Sequence, residues 1–243
     1  MRRGSIVALL GIGLVAGGVA TAVALIPTWL PVDASVEAGR IDFTFWFIIA
    51  ICILLFAIVA AVMIYSIVKF RAAPDDFEDG PSIHGHTGLE IAWTAIPFVL
   101  VTAIAVVSGV VLSRNAAQGA NPLVINVQAQ QYAWSFSYPD ANNATSPVLL
   151  LPKDRSVVLR MTSLDVIHAF FVPEFRTNMD IVPGMVIDVH ITPDRLGTYT
   201  LQCNELCGAG HTLMNTQVVV ESPAAFKHWV TVQKSQPAAG GTG

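Results

Sequence analysis

Three long apolar segments constrain the fold of this chain more than any other feature of its sequence. They cover residues 5–26, 43–68 and 91–112. Each is close to the ~20 apolar residues that cross a lipid bilayer as a helix, whereas a helix buried in a soluble protein rarely stays apolar on all sides for so long. Charged residues make up only 12% of the 243 residues, against about 25% in soluble domains. The sequence therefore predicts an integral membrane protein.

Basic residues beside these segments predict the orientation of the chain. Arg2 and Arg3 precede the first segment, and Lys69 and Arg71 follow the second. Because basic residues concentrate on the cytoplasmic side, the loop between the second and third segments is expected inside the cell and the chain after Ser113 outside it. We expect a bacterial-type plasma membrane protein whose C-terminal domain is extracytoplasmic.

Residues 1–34 allow two interpretations. A basic start followed by an apolar run and small residues is typical of a secretory signal peptide, and Val32-Asp33-Ala34 fits a cleavage site. The apolar run is longer than that of most signal peptides, which favours an extra membrane helix with a short outer linker. Of the two, we prefer cleavage. In either case residues 35–120 are expected to form a membrane helical hairpin with a cytoplasmic loop.

Residues 121–221 have the pattern of an all-β domain. Short runs rich in β-branched and aromatic residues are separated by turn signals such as Pro139-Asp140 and Pro183-Gly184. The predicted strands cover residues 123–127, 132–138, 157–161, 186–191, 198–202 and 216–220. So many short strands predict a β-sandwich or a Greek-key barrel. Residues 222–243 are expected to form a flexible tail.

A short segment near the end of this domain carries a set of soft metal ligands. Cys203, Cys207, His211 and Met214 lie within twelve residues, and His168 stands on a preceding segment. Thiolate and thioether ligands together select copper, and a long thioether bond is typical of electron-transfer copper sites. A mononuclear site of that kind needs one Cys, whereas two Cys four residues apart would let two thiolates bridge two metals. The segment therefore predicts a copper site.

Two simpler interpretations remain for the pair of Cys residues. In an exported domain, two nearby Cys usually form a disulfide, and two Cys with two His are a common structural zinc set. Zinc requires neither Met214 nor Glu205, and both are present. With all these positions in place, copper is preferred.

At these positions the chain resembles subunit II of the haem–copper cytochrome c oxidases. That family carries a C-x-E-x-C-G-x-x-H-x-x-M loop and an upstream D-V-[IL]-H motif, and both are intact at residues 203–214 and 165–168. The resemblance implies a cupredoxin fold for the β domain and a dinuclear, mixed-valence copper centre of the CuA type. Carried over by position, it implies two bridging thiolates, two imidazole ligands and two weak ligands: Cys203 and Cys207, His168 and His211, and the Met214 sulfur and Glu205 backbone carbonyl.

The same resemblance implies roles for four further groups. The Glu205 carboxylate would bind Mg²⁺ or Mn²⁺ at the junction with subunit I. Electrons would enter at Tyr132, where the aromatic stretch of the family has Trp, and Asp165 would belong to the docking patch for cytochrome c. Glu90, in the E-x-x-W-T-x-x-P setting of the family, would take up protons for subunit I. The structural alternatives are a packed strand residue for Tyr132 and a helix-terminal acid for Glu90.

The function implied by the resemblance is electron transfer within an oxidase. The chain would accept electrons from cytochrome c and pass them to haem in subunit I, where oxygen is reduced to water and protons are pumped. It would be an oxidoreductase only as a subunit, without oxidase activity alone. Its partners would be subunit I, the other oxidase subunits, cytochrome c and the membrane, whereas a net charge of −4 argues against nucleic acid.

Three other functions share some of these features. A quinol oxidase subunit II has the same fold and membrane helices but lacks the copper ligands, all of which are present here. A membrane-tethered copper carrier, or metallochaperone, could hold Cu(I) with two thiolates and a Met, but it does not need Glu90 or the aromatic stretch. Nitrous oxide reductase shares the copper loop, but its second copper domain is rich in His, and six His cannot supply it. The oxidase interpretation is therefore preferred.

Overall fold

The structure, a computed structural model, describes residues 3–72, 80, 82, 84–117 and 119–235. Its contacts divide the chain into two compact units. The membrane unit contains the residues up to Leu30 together with Phe43–Gly109, and the β unit contains Pro31–Asp42 together with the residues from Val110 onward. Arg2, on which part of the predicted orientation depends, lies outside the described residues, as do residues 73–79 of the predicted cytoplasmic loop.

All three predicted membrane segments are helices. They are α1, Arg3–Leu25; α2, Val36–Lys69; and α3, Thr87–Ala116. Their most apolar windows have mean hydropathies of 2.3, 3.3 and 2.6, and each helix is long enough to cross a ~30 Å hydrocarbon layer at ~1.5 Å per residue. α2 and α3 extend beyond the predicted segments because helical hydrogen bonding continues into polar flanking residues. The prediction of an integral membrane protein is confirmed.

The described residues of the β unit form ten strands in two sheets. The strands are β1, Leu123–Gln130; β2, Ala133–Tyr138; β3, Ala144–Ser146; β4, Leu149–Pro152; β5, Val157–Ser163; β6, His168–Val172; β7, Thr177–Ile181; β8, Ile187–Ile191; β9, Gly197–Cys203; and β10, Asn215–Glu221. One sheet has the order β3-β2-β1-β5-β8 and the other β4-β10-β9-β6-β7. Both contribute to one apolar cluster that includes Ile125, Phe136, Leu159, Phe170 and Leu201. The predicted β-sandwich is confirmed.

The sequence pattern missed four strands, β3, β4, β6 and β7. Of these, β6 matters most, since it begins at His168. Its burial does not alternate, because His168, Ala169 and Phe170 are all buried. A strand covered on both faces lacks the period-two pattern from which half-buried strands are predicted.

The predicted flexible tail from residue 222 is wrong for Pro223–Ser235, which form a fourth helix, α4. Phe226 is 3% exposed, and the Trp229 ring lies 4.8 Å from that of Tyr138 between centroids. Phe226, Trp229 and Val230 pack on the core at helical spacing. Because α4 has so few apolar residues, its composition hardly differs from that of a polar tail. The residues after Ser235 lie outside the described part of the chain.

The stretch that leads into α2 packs on the β unit. Ala34 and Ser35 are almost fully buried. The Ala34 amide donates to the Glu174 carbonyl at 2.9 Å, and the Val36 amide donates to the Thr192 carbonyl at 3.0 Å, just beyond β8. The predicted boundary between residues 34 and 35 therefore falls inside a hydrogen-bonded stretch of this unit.

Tyr138 links β2 to β4 through its buried hydroxyl. The hydroxyl accepts a hydrogen bond from the Leu150 amide at 2.7 Å and donates one to the Leu150 carbonyl at 3.2 Å. Burial raises the pKa of Tyr138 well above its ordinary value. The side chain is thus held neutral in the folded state.

We expect Tyr138→Phe to destabilise the β unit by about 1–3 kcal/mol, because two partly buried backbone groups of Leu150 lose the hydroxyl as their partner. The folded parent chain should also become less stable to heat above pH about 10, because Tyr138 ionises there in the unfolded chain but not in the folded one. The difference in thermal stability between Tyr138→Phe and the parent chain should therefore shrink as the pH rises above about 10. A constant difference from pH 8 to pH 11 would contradict the role of the hydroxyl.

Candidate metal centre

Two strands and the loop between two others bring the predicted copper ligands to one end of the β unit. His168 begins β6, and Cys203 ends β9, the strand beside it. The loop from Asn204 returns to β10 after Met214, and the Cys203 amide donates to the Met214 carbonyl at 3.0 Å. This hydrogen bond closes the base of the loop and holds its first and last ligands side by side.

The donor atoms lie within one small buried volume. The two Cys Sγ atoms are 3.8 Å apart. The Nδ1 atom of His168 is 3.7 Å from Cys203 Sγ, and that of His211 is 3.6 Å from Cys207 Sγ. The Met214 sulfur lies 3.9 Å from Cys207 Sγ. His168, Cys203, Cys207 and Met214 are at most 7% exposed, so water is largely excluded.

Glu205 contributes its backbone to this volume and its side chain to the surface. Its carbonyl oxygen is 3.3 Å from Cys203 Sγ, and the residue is exposed. The carbonyl and the carboxylate are therefore available to different partners.

The distance between the two sulfurs excludes a disulfide in this structure. A disulfide requires about 2.05 Å between the sulfurs, and both Cys are free thiols at 3.8 Å. Two sulfurs at this distance can both lie ~2.3 Å from one metal, an ordinary metal–thiolate bond length. The thiols are therefore placed to share metal ions.

The two His residues lie on different sides of the thiol pair. One group of donor atoms within 4.8 Å of one another contains His168, Cys203 and Cys207 but not His211. His211 instead lies beside Cys207 alone, with Met214 nearby. His168, Cys203 and Cys207 therefore form a three-donor group, and His211 and Met214 lie beside it, next to Cys207.

Burial keeps the Cys207 thiol protonated when no cation is bound. Burial raises the pKa of the Cys207 thiol to about 11, and the neighbouring Cys203 adds to this rise. Without a cation, two adjacent buried thiolates would be costly. Metal binding to such a pair must displace protons.

Comparison with known proteins identifies the family of this chain. Residues 23–111 match the family model "Cytochrome C oxidase subunit II, transmembrane domain", and residues 144–222 match "Cytochrome C oxidase subunit II, periplasmic domain". Cytochrome c oxidase subunit 2 of Synechocystis sp. is 33% identical over 86% of this chain and 76% of its own length. The chain belongs to the cytochrome c oxidase subunit II family.

Two further relatives show the breadth of the similarity. Quinol oxidase subunit 2 of Bacillus cereus is 28% identical over 78% of this chain and 65% of its own length. The solved periplasmic domain of subunit II of cytochrome oxidase from Bradyrhizobium japonicum is 26% identical, with a TM-score of 0.45, over 49% of this chain and 97% of that one. The β unit contains residues 144–222, which match the periplasmic domain model of this family, and is therefore extracytoplasmic.

Asp165 holds the first imidazole of this subunit II in place. Its Oδ1 atom lies 2.8 Å from His168 Nε2, and its Oδ2 atom accepts a hydrogen bond from the Gln131 amide at 2.6 Å. Burial alone would raise the pKa of Asp165, but hydrogen bonds from Gln131, His168 and Val166 outweigh it and lower that pKa to about 2. An ionised carboxylate at Nε2 favours a proton there and leaves the Nδ1 lone pair facing Cys203. The Asp165 carboxylate is also 29% exposed, so it remains accessible from solvent. Its role in docking stays a prediction.

Gln131 is a residue that the sequence analysis missed. Besides its backbone contact with Asp165, its side-chain Nε2 donates to the Cys207 carbonyl at 2.5 Å. It thus ties the β1–β2 turn to the metal loop across 76 positions of sequence. The sequence feature that could have identified Gln131 is its position directly before Tyr132 in the aromatic stretch.

Tyr132 covers the loop between two ligands. A Cβ atom placed on Gly210 would lie 2.5 Å from the Tyr132 ring, and one on Gly208 would lie 2.6 Å from its hydroxyl. Only glycine at these positions lets the ring rest on the loop between Cys207 and His211. The ring is also 39% exposed, so it contacts both solvent and the metal loop.

Trp134 lies beneath the site as a core residue. It is 5% exposed, and its ring lies 6.4 Å from that of His168 and 6.0 Å from that of Phe170 between centroids, both edge to face. It supports the imidazole from the side opposite to solvent.

Glu90 lies in the membrane unit, at the first turn of α3. Its Oε1 accepts a hydrogen bond from the His86 amide at 3.1 Å, while His86 Nδ1 accepts one from the Leu89 amide at 3.1 Å. These reciprocal bonds cap the helix in the manner of a capping box. The geometry favours the helix-terminal role, and proton uptake stays a prediction.

We expect Asp165→Asn to weaken metal binding about 10–100-fold, as is usual when the carboxylate partner of a ligating imidazole is lost. Chelator competition with the purified chain measures this. Asp180→Asn is the matched control, because Asp180 is an exposed acid on β7, opposite Ala169. If both variants bound metal with the same affinity, Asp165 would act only through its negative charge and not through its contact with His168.

Proposed function

We propose that this chain binds a dinuclear copper centre of the CuA type, accepts electrons from cytochrome c outside the membrane and passes them to haem in subunit I. Oxygen reduction and proton translocation would take place in the assembled oxidase. The observation that carries the proposal is the buried pair of unbonded thiols, 3.8 Å apart, with an imidazole beside each.

The residues of this chain would have separate tasks at the centre. Bound copper would supply a one-electron carrier shared between two ions. Cys203 and Cys207 would bridge the ions, and His168 and His211 would each bind one of them through Nδ1. The Met214 sulfur and the Glu205 carbonyl would be weak ligands that tune the potential.

Contacts around the ligands support fast electron transfer by limiting movement. Asp165 orients His168, Gln131 fixes the Cys207 carbonyl, and the Met214 carbonyl is bonded to the base of the loop. Ligands held in this way change little when an electron arrives. The same rigidity disfavours a copper carrier, because a carrier must release its metal to a competing ligand, and these ligands are buried.

An apolar rim around the centre supports docking of the electron donor. It is formed by exposed side chains of the β1–β2 turn, the segment before β6 and the metal loop: Tyr132, Leu164, Val166, Ile167, Leu206 and Leu213. Leu206 and Leu213 are 80% and 77% exposed. Exposed apolar side chains grouped around one site are typical of a docking surface, whereas a single exposed Leu is not. We therefore propose that cytochrome c docks chiefly by apolar contact at this rim, with Asp165 as a lesser electrostatic contribution.

The Glu205 carboxylate would bind Mg²⁺ or Mn²⁺ at the junction with subunit I. An exposed carboxylate suits such a hard ion. One carboxylate cannot satisfy its coordination, so the remaining ligands would come from the partner subunit and water.

Electron paramagnetic resonance of the copper-loaded chain should show one unpaired electron shared by two coppers, with a seven-line hyperfine pattern. Cys207→Ser should convert the site to one copper or abolish it, because one bridge is lost. Cys52→Ser is the control, since Cys52 lies in α2 and is exposed. A four-line pattern in the parent chain, or a colourless zinc protein, would contradict the proposal.

Tyr132→Ala should slow electron transfer from cytochrome c to the centre while leaving the copper spectra intact. Tyr132→Phe, which keeps the ring, should transfer electrons at nearly the parent rate. Gly210→Ala should act like Tyr132→Ala, because the added Cβ displaces the ring. Stopped-flow reduction measures all three. Unchanged rates in Tyr132→Ala would reduce Tyr132 to a packing residue.

A pair of substitutions at Glu90 separates proton uptake from helix capping. Gln can accept the same hydrogen bond from the His86 amide but cannot carry a proton, whereas Ala can do neither. If Glu90 takes up protons, turnover of the assembled oxidase should fall in both variants. If it only caps α3, Glu90→Gln should match the parent enzyme across the pH range, and the proton role must be dropped.

A further inference from the structure

The first helix carries a specific packing surface for the second. A Cβ atom placed on Gly13 would lie 3.6 Å from the Ala61 Cβ, and one on Gly17 would lie 3.4 Å from the Ala57 Cβ. Each helix thus presents two small residues four positions apart, one turn from each other. Small residues at this spacing let the backbones of membrane helices approach closely. Ala61 is only 5% exposed, in a helix whose neighbouring side chains are largely exposed.

This surface extends along the whole of α1. Towards one end, the Tyr65 hydroxyl donates to Ser5 Oγ at 2.8 Å. Towards the other, Ala20 and Val23 line an apolar groove together with Trp46 and Ile49. Residues with higher numbers in α1 contact residues with lower numbers in α2, so the two helices are antiparallel neighbours.

The half-buried positions of α1 confirm that one face is used. Most of them recur every three or four residues along a single helix face: Ser5, Leu9, Ile12, Gly13, Ala16, Gly17, Ala20 and Ala24, with Ala22 half-buried off that face. Gly11 and Gly18 lie off this face, and an added Cβ there would meet nothing within 4 Å. A signal peptide needs an apolar run but no surface complementary to another helix of the same protein.

The chain that follows α1 is also held in place. In the membrane unit, the Trp29 indole donates to the Val23 carbonyl at 3.1 Å, near the end of the helix. In the β unit, Arg176 Nη2 donates to the Pro31 carbonyl at 2.7 Å, and the Asp194 amide donates to the Ala34 carbonyl at 3.2 Å. Ala34 is fully buried. The predicted cleavage site at residues 32–34 is therefore occupied by contacts of the folded protein.

We propose that α1 is a permanent third membrane helix, packed antiparallel on α2 through the seam formed by Gly13, Gly17, Ala57 and Ala61, and not a removable leader. The transmembrane model of the family begins at residue 23, so this helix lies almost wholly outside what the family shares. Of the two interpretations of residues 1–34, the proposal favours the extra membrane helix over a cleaved leader.

Intact mass and N-terminal sequencing of the chain from its native membrane test retention directly. The expected mature chain contains α1. A mature N-terminus at Ser35, or at any residue after Leu25, would overturn the proposal.

Disulfide cross-linking in membranes tests the seam. The 3.6 Å between Cβ positions at Gly13 and Ala61 fits a disulfide. In a Cys52→Ser background, Gly13→Cys with Ala61→Cys should cross-link on mild oxidation. Gly11→Cys with Ala61→Cys is the matched control, and it should not. Equal cross-linking in both pairs, or none in the first, would overturn the proposed seam.

Leu substitutions separate packing from mere hydrophobicity. Gly13→Leu and Gly18→Leu make α1 equally more apolar, so a targeting role predicts the same outcome for both. The seam predicts that only Gly13→Leu lowers the thermal stability of the membrane-inserted chain and abolishes proximity of α1 to α2. Identical behaviour of the two variants would contradict it.

Discussion

The metal centre depends on one constraint: two buried thiols are kept 3.8 Å apart, near enough to share ions and too far apart to form a disulfide. A flexible loop would lose this separation, since oxidation in an extracytoplasmic compartment would close the pair. The separation is set by the backbone. Cys203 ends β9, and the Cys203 amide donates a hydrogen bond to the Met214 carbonyl. Gln131, in the β1–β2 turn of the other sheet, holds the Cys207 carbonyl.

The remainder of the site follows from that arrangement. Asp165 connects the imidazole of His168 to the Gln131 backbone, so the first imidazole and the second thiol share one set of hydrogen bonds. Tyr132 closes the loop from the solvent side and Trp134 supports it from the core. Substitutions of Asp165 and of Gln131 should therefore affect one another, because the two side chains belong to one network.

Five of the six predicted ligands lie in one short loop, where their residue types and spacing carry the family resemblance, and the structure brings His168, Cys203 and Cys207 together. The sequence did not reveal Gln131, whose contact with Cys207 joins residues 76 positions apart. β6 was missed because both its faces are buried, and α4 because few apolar residues mark it. Apolar length predicted the membrane helices, but hydrophobicity cannot show which face of a helix packs. That information lies in the placement of small residues such as Gly13 and Ala61.

Copper X-ray absorption of the copper-loaded chain tests the central claim most directly. If the two thiols share two ions, each copper should have two sulfur neighbours and one imidazole nitrogen at bonding distance. A second copper should lie nearer than the 3.8 Å that separates the sulfurs. A copper with a single sulfur neighbour and no second copper in its surroundings would contradict the account.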